Sequence, residues 1–337
     1  MLQIVLEKPG HFVALDGPEP VLAPGEALVR VHRIGICGTD LHAFAGRQPF
    51  FNYPRILGHE LGVEVIDPGS DPHGLSAGDR CAVEPYINCG HCIACRRGKP
   101  NCCTSLNVLG VHSDGGMRPF FAVPSRKLHR SAKLTYEQLA LVETLAIGAH
   151  AIERAEITRP DFALVIGAGP IGLGVIQLAL VTGATLAVMD VSETRLAFCR
   201  DHLGVKHTVT AGAGSANLIQ AIGGGNLPTV VIDATGNPRS MTDTFDLVAH
   251  GGRTVFVGLF QGDVTFNDPN FHRREITLCA SRNALPQTFR DIIALVEAGR
   301  VDTKPWITHR FALPDTPTVF PAQIAGNSAV IKAIVDA

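Results

Sequence analysis

The chain has 337 residues, of which 46% are hydrophobic and 18% charged. That makes it globular rather than disordered, and long enough for two domains with a core each. Its formal net charge of −2 gives no support for binding nucleic acid or an acidic membrane surface.

The first twenty residues lack a basic start followed by an apolar run, so no signal peptide is expected. Residues 26–34 (Glu-Ala-Leu-Val-Arg-Val-His-Arg-Ile) alternate well enough for a strand. Pro24-Gly25, Asp67-Pro68-Gly69 and Ala77-Gly78-Asp79 read as turns. After the strand comes Cys37-Gly-Thr39-Asp40-Leu-His42, and further on Gly58-His59-Glu60. A catalytic zinc takes three protein ligands and leaves one position for water or substrate. Cys37 and His59 offer soft and borderline donors; the third is Glu60 or Glu143, the latter in Leu-Val-Glu-Thr-Leu-Ala. Each residue alone is weak evidence, because a lone cysteine is usually a small buried hydrophobe and most glutamates are solvated.

Cys89, Cys92, Cys95 and Cys103 read C-x2-C-x2-C-x7-C. Four thiolates at that spacing close a tetrahedron around zinc and leave no open position, which makes the site structural. Cys102 adjoins Cys103, but the spacing favours Cys103; Cys81, Cys102, Cys199 and Cys279 have no assigned role. Nine cysteines, most at metal-ligand spacing, suggest a reducing compartment, with the cytoplasm as the default.

The texture changes after about residue 140. Strands and helices then alternate: 162–166, 171–182, 185–189 and 193–203, then strands at 229–233 and 254–257 with a helix at 240–248 between them. That alternation is what a doubly wound parallel sheet in an α/β fold requires. Residues 162–189 carry no charge, a length that would suit a membrane span. Five glycines and a proline interrupt the stretch, and buried parallel strands are equally apolar, so no membrane association is expected. Gly167-Ala-Gly169-Pro170-Ile171-Gly172 is G-x-G-x-x-G between an apolar strand and a helix, the context that lets the backbone approach a pyrophosphate. Asp190 ends the next strand, where a carboxylate accepts hydrogen bonds from a ribose and repels a 2′-phosphate; NAD is favoured over NADP. The plainer alternative is an ordinary strand-to-helix turn with a surface aspartate.

Taken together and in this order, Cys-Gly-Thr-Asp-x-His, Gly-His-Glu, the four-cysteine lobe and the nucleotide fingerprint resemble the zinc-dependent medium-chain alcohol and polyol dehydrogenases. The likeness covers nearly the whole chain and is nearer to sorbitol and threonine dehydrogenases than to liver-type alcohol dehydrogenase. It implies a GroES-like β-rich catalytic domain from residues 1–144 and 284–337, with the zinc lobe at about 86–105, and a Rossmann domain at 145–283. It further implies two zinc ions, one catalytic and one structural, and NAD bound through the glycine loop, Asp190, Arg195, Ala234, Thr235, Val257, Gly258 and Leu259. Thr39 and His42 match the family's proton relay, which passes through the cofactor ribose to solvent, and Glu60 or Glu143 would alternate on the metal. Homodimers or homotetramers are usual among such relatives.

Gln48-Pro-Phe-Phe51, Val111-His-Ser-Asp-Gly-Gly116, Asp233-Ala-Thr-Gly-Asn237, Val257-Gly-Leu-Phe260 and Ser281-Arg-Asn-Ala284 resemble more closely the bacterial sugar-acid dehydrogenases. That implies hydride transfer to NAD from a secondary alcohol of an acid such as L-galactonate, L-gulonate or L-idonate. Arg282 is then the first candidate for the substrate carboxylate, which an arginine fork recognises well. Arg118 and His112 come behind it, with Phe51, Phe260 and Asn283 beside them; phenylalanines are more often core. A neutral polyol dehydrogenase of sorbitol type is the alternative enzyme, and a zinc-stabilised dinucleotide sensor the alternative outside enzymes. Two positions depart from the family: Val63, beside Gly62, stands where glycine is usual, and Thr144 where proline commonly follows the glutamate. The first puts a local turn in doubt; the second would loosen Glu143.

Overall fold

The computed structural model describes residues 1–48, 51–70 and 73–337. The first part of the chain is a run of short strands: β1 (Leu2–Lys8), β2 (His11–Asp16), β3 (Glu26–Gly35), β4 (Arg55–Ile56), β5 (Glu60–Asp67), β6 (Arg80–Val83), β7 (Tyr86–Ile87), β8 (Asn107–Val108), β9 (Phe120–Pro124) and β10 (Leu128–Arg130). In β3, Ala27, Val29 and Val31 are buried while Arg30 is exposed, the period-two burial that its alternation predicts. β3 pairs antiparallel with β5 and β9, and the sheet continues through β6 to β10. β2, β1 and β4 form a separate sheet, and β7 and β8 form a two-stranded one. Pro24-Gly25 and Ala77-Gly78 are turns, and Asp67 Oδ1 accepts a hydrogen bond from the Gly69 amide at 2.9 Å.

From Val142 to Ala155 the chain is helical, and a six-stranded parallel sheet follows: β11 (Phe162–Ile166), β12 (Thr185–Asp190), β13 (His207–Thr210), β14 (Val230–Asp233), β15 (Arg253–Phe256) and β16 (Thr277–Ala280). Its order is β13-β12-β11-β14-β15-β16, so the order reverses between β11 and β14, where such sheets bind ligands at their carboxyl ends. The uncharged stretch at 162–189 splits into β11, the helix Pro170–Thr182 and β12. Among the described residues no helix is long and apolar enough to cross a membrane.

The last segment adds β17 (Ile307–Ala312) and β18 (Lys332–Asp336). β18 pairs antiparallel with the end of β3, so C-terminal residues complete the N-terminal sheet. The chain therefore divides into two compact units, Met1–Glu143 with Leu285–Ala337, and Thr144–Ala284. The core of the first lies among β1, β3, β5 and β9 (Ile4, Leu6, Val29, Val31, Val63, Phe121). The second has its own, from Phe162, Leu164, Ile166, Met189, Val231 and Phe245.

Candidate metal and cofactor sites

Three segments of the first unit meet where β3, β5 and β18 run side by side. Cys37 follows β3 and caps the helix Gly38–Phe44; His59 precedes β5, which Glu60 opens. One donor atom from each of Cys37, His59 and Glu60 lies within 4.8 Å of the other two. That spacing suits one ion at about 2.0–2.3 Å from a thiolate, an imidazole and a carboxylate, so the donor set fits zinc. Glu60 is fully buried, and both its oxygens lie 2.7 Å from the Lys332 ammonium. A Cβ at Gly35, its cross-strand partner, would overlap the Glu60 carboxylate, so a glycine is needed there. The fully buried Asp40 accepts the Cys37 amide at 2.9 Å through Oδ2 and sets Oδ1 3.7 Å from His59 Nδ1.

Glu143 lies in the first turn of the helix Val142–Ala155, 5% exposed, and accepts a hydrogen bond from the Tyr86 hydroxyl. It does not belong to the three-donor set. Burial raises its carboxyl above the usual range, His59 opposing and Glu60 reinforcing the shift. Burial likewise pushes the Tyr86 phenol well up, with Glu143 adding to it, so the phenol keeps its proton and donates.

Thr39 and His42 stand three residues apart on the helix Gly38–Phe44, hence on one face, Thr39 half-buried and His42 exposed. Partial cover of the His42 ring, with Arg47 nearby, lowers its pKa below the usual imidazole value.

Cys89, Cys92, Cys95 and Cys103 gather their sulfurs within 4.8 Å of one another, while Cys102 is exposed and outside the set. Backbone amides point at the sulfurs: Cys92 N to Cys89 at 3.3 Å, Cys95 N to Cys92 at 3.5 Å and Ser105 N to Cys103 at 3.4 Å. The amides of Cys95 and Thr104 bring the Cys92 thiol down to about 5. Burial pushes Cys103 the other way, to about 11; a coordinated cation reverses that, since a coordinating thiol is deprotonated. Four sulfurs and no open position fit a structural zinc.

In the second unit, Gly167 (φ 96°) follows β11 and Gly169 caps the helix Pro170–Thr182, with Pro170 and Ile171 in its first turn. A Cβ on Gly172 would run into the Gly167 carbonyl oxygen, whereas one on Gly169 meets no protein atom within 4 Å. That open side of the turn is the cradle a pyrophosphate needs. Asp190, half-buried, accepts the Ala168 amide at 2.6 Å and the Ser192 amide at 2.8 Å, which ties the end of β12 to the glycine loop. Arg195 lies one turn into the helix Glu193–Leu203, where burial lowers its pKa against the pull of Asp190. Ala234 and Thr235 follow β14, and Val257, Gly258 and the exposed Leu259 follow β15. The Asp233 carbonyl accepts both the Val257 and Gly258 amides, at 2.9 and 3.3 Å. The predicted cofactor residues thus lie at the carboxyl ends of β11, β12, β14 and β15 or in the turns that follow them, apart from Arg195 on its helix.

Residues 23–133 match the alcohol dehydrogenase GroES-like domain, and residues 170–298 the zinc-binding dehydrogenase family. L-Galactonate-5-dehydrogenase of Escherichia coli K12 is 38% identical over 98% of each chain. The chain belongs to the zinc-type medium-chain alcohol dehydrogenases. It is therefore an oxidoreductase built from a GroES-like and a Rossmann-like domain. Two solved structures are also similar. The rspB alcohol dehydrogenase of E. coli CFT073, complexed with NADH, has a TM-score of 0.90 at 28% identity and covers 100% of this chain and 99% of its own. A zinc-binding dehydrogenase of Sinorhizobium meliloti 1021, bound to NADP, has 0.88 at 28% identity with the same coverage.

The substrate candidates of this dehydrogenase are less uniform. Phe51 is 9% exposed, edge-on to Tyr53 at 4.8 Å, and part of the core, so its ring serves packing; Pro49 and Phe50 of its segment lie outside the described residues. His112 is exposed, with Nδ1 accepting the Val108 amide at 3.1 Å. The Arg118 guanidinium lies 5.6 Å over the Phe121 ring. In the second unit Phe260 is half-buried, Arg282 exposed, and Asn283 in a left-handed conformation (φ 53°). At the two departures from the family, Val63 is buried inside the continuous strand β5, with no turn there, while a Cβ at Gly62 would strike the Tyr136 carbonyl. Thr144 continues the helix that carries Glu143, whose carboxylate Tyr86 holds. Sequence reading assigned no role to Asp40, Tyr86 or Lys332, nor to the buried cluster in which Glu84 binds both Lys127 and His129. Lys332 did carry a signal, a single charge within Val330-Ile-Lys-Ala-Ile-Val335.

Proposed function

We propose that this dehydrogenase is zinc- and NAD-dependent and oxidises a secondary alcohol of a sugar acid of the L-galactonate, L-gulonate or L-idonate kind. The buried Cys37–His59–Glu60 donor set carries the chemical part of that reading. The substrate class rests on the identity with L-galactonate-5-dehydrogenase. When bound, zinc supplies Lewis acidity toward an alcohol hydroxyl and NAD supplies a hydride acceptor.

The chain's own residues do the rest. Cys37, His59 and Glu60 hold the cation, Asp40 fixes the Cys37 amide, and the Lys332 ammonium holds Glu60 in place. Thr39 Oγ1 accepts the hydroxyl proton as it gives up its own to the next group of the relay, and the exposed His42 ring, unprotonated near neutral pH, takes the relayed proton at the solvent end. Asp190 places a carboxylate at the end of β12, which disfavours a 2′-phosphate and selects NAD.

The test is NADH formation by the zinc-loaded protein with L-galactonate, L-gulonate, L-idonate and sorbitol side by side. An aldonate is expected to be preferred. A preference for sorbitol would move the protein to the neutral polyol dehydrogenases, and no turnover on any of the four would remove the substrate claim.

The glycine loop gives a separate expectation. Gly169→Ala should leave stability within about 0.5 kcal/mol, because its methyl group meets no protein atom, yet raise KM for NAD about tenfold or more by standing where the pyrophosphate must lie, a loss of about 1.4 kcal/mol. Gly172→Ala should instead lower stability by about 1–3 kcal/mol through overpacking. Melting curves and dinucleotide KM values on both variants check this; an unchanged KM in Gly169→Ala would show that the loop does not cradle the cofactor.

A further inference from the structure

We propose that the Tyr86 hydroxyl holds Glu143 beside the Cys37–His59–Glu60 set and off it, so that the resting metal complex takes Glu60 and not Glu143. Tyr86 is thereby a positioning residue, and the inference rests on the zinc reading above.

Two buried glutamates flank one cation site, and each is tethered differently. Glu60 meets an ammonium with both oxygens, at 2.7 Å, and that same ammonium donates to the Ile36 carbonyl at 3.1 Å. This grip is ionic, and it leaves Glu60 among the three gathered donors. Glu143 meets a phenol through one oxygen and lies outside the three. The phenol is itself held by its surroundings. Tyr86 is 3% exposed, its backbone pairs with Val108, and its ring packs edge-on to Phe289 with centroids 6.1 Å apart. A single, directional, neutral donor on a packed ring sets where the Glu143 carboxylate points. Removing that hydroxyl takes away the donor from a carboxylate 5% exposed. A buried carboxylate that loses its donor seeks the next available compensation, and here that is the cation.

The test uses the full-length protein with cobalt(II) in place of zinc, because cobalt d–d absorption responds to the number and type of donors. Comparison with Cys37→Ser assigns the bands that belong to this site rather than to the four-cysteine lobe. Tyr86→Phe keeps the ring and its packing. It is expected to shift the Cys37-dependent bands and to slow removal of that cobalt by a chelator roughly tenfold, the scale on which one neighbouring group alters metal affinity. In a Glu143→Gln background the same substitution should change neither reading. Identical spectra and loss rates in Tyr86→Phe and the parent would overturn the inference, and so would faster loss, which would mean that Tyr86 holds Glu143 onto the metal. If the parent shows no Cys37-dependent band, the metal site itself falls and the inference with it; if the band is present and unmoved, only the inference falls.

Discussion

Cys37→Ser is expected to lower kcat/KM about a thousandfold or more, because the Lewis-acid contribution it removes is worth several kcal/mol. The fold should survive. Cys37 caps the helix Gly38–Phe44, and serine is a good residue at that position. The bond from its amide to Asp40 Oδ2 is a backbone bond that serine keeps. The four-cysteine lobe shares no ligand with this site, so metal analysis should show about one zinc equivalent lost and the other retained. Circular dichroism and the melting temperature should stay close to the parent values. Turnover that persisted in Cys37→Ser would refute a catalytic metal at this position. Loss of turnover together with unfolding would say nothing of the chemistry, which is why the zinc count and the melting curve accompany the rate.

What was readable in the sequence was local. The four cysteines, the glycine loop and the Cys37 and His59 motifs each sit in a short segment, where spacing alone constrains chemistry. The parallel sheet was readable for the same reason, since each strand is a short apolar run followed by a helix. Element ends are less legible, because capping residues set them. The helix expected from Ile171 begins at Pro170, because proline suits a first helical position. The helix expected from Ser240 begins at Pro238, because Asn237 accepts the Arg239 and Ser240 amides. The supporting residues were hidden because they come from far away. Lys332 reaches Glu60 across 272 residues of sequence, through the pairing of β18 with β3, and Tyr86 reaches Glu143 across 57. A lysine near a C-terminus reads as a surface charge by default. Only the register of β18 turns it into a buried partner for a carboxylate. Asp40 was visible within its motif, but nothing in the spacing said that it is fully buried beside His59.

Lys332→Met is expected to destabilise the first unit by about 3–5 kcal/mol, the usual effect of removing one partner from a buried ion pair. Lys332 is 1% exposed and Glu60 0%, so no solvent screens the carboxylate that remains. Methionine fills a similar volume, so the loss reflects charge rather than a cavity. The double variant Lys332→Met/Glu60→Leu separates the two causes: with both charges gone it should recover most of the stability, because a buried pair contributes little net free energy over apolar residues of similar size. Metal enters the same balance. A zinc ion at Cys37 and His59 takes over part of the neutralisation of Glu60, so Lys332→Met should lose less stability when zinc-loaded than after chelation. Denaturant unfolding of the single and double variants, each with and without zinc, measures all four quantities. A single variant as stable as the parent would mean that Glu60 is neutral there or finds another cation. A single variant that loses as much with zinc as without it would place Glu60 outside the metal's coordination, and the third ligand would then have to be Glu143.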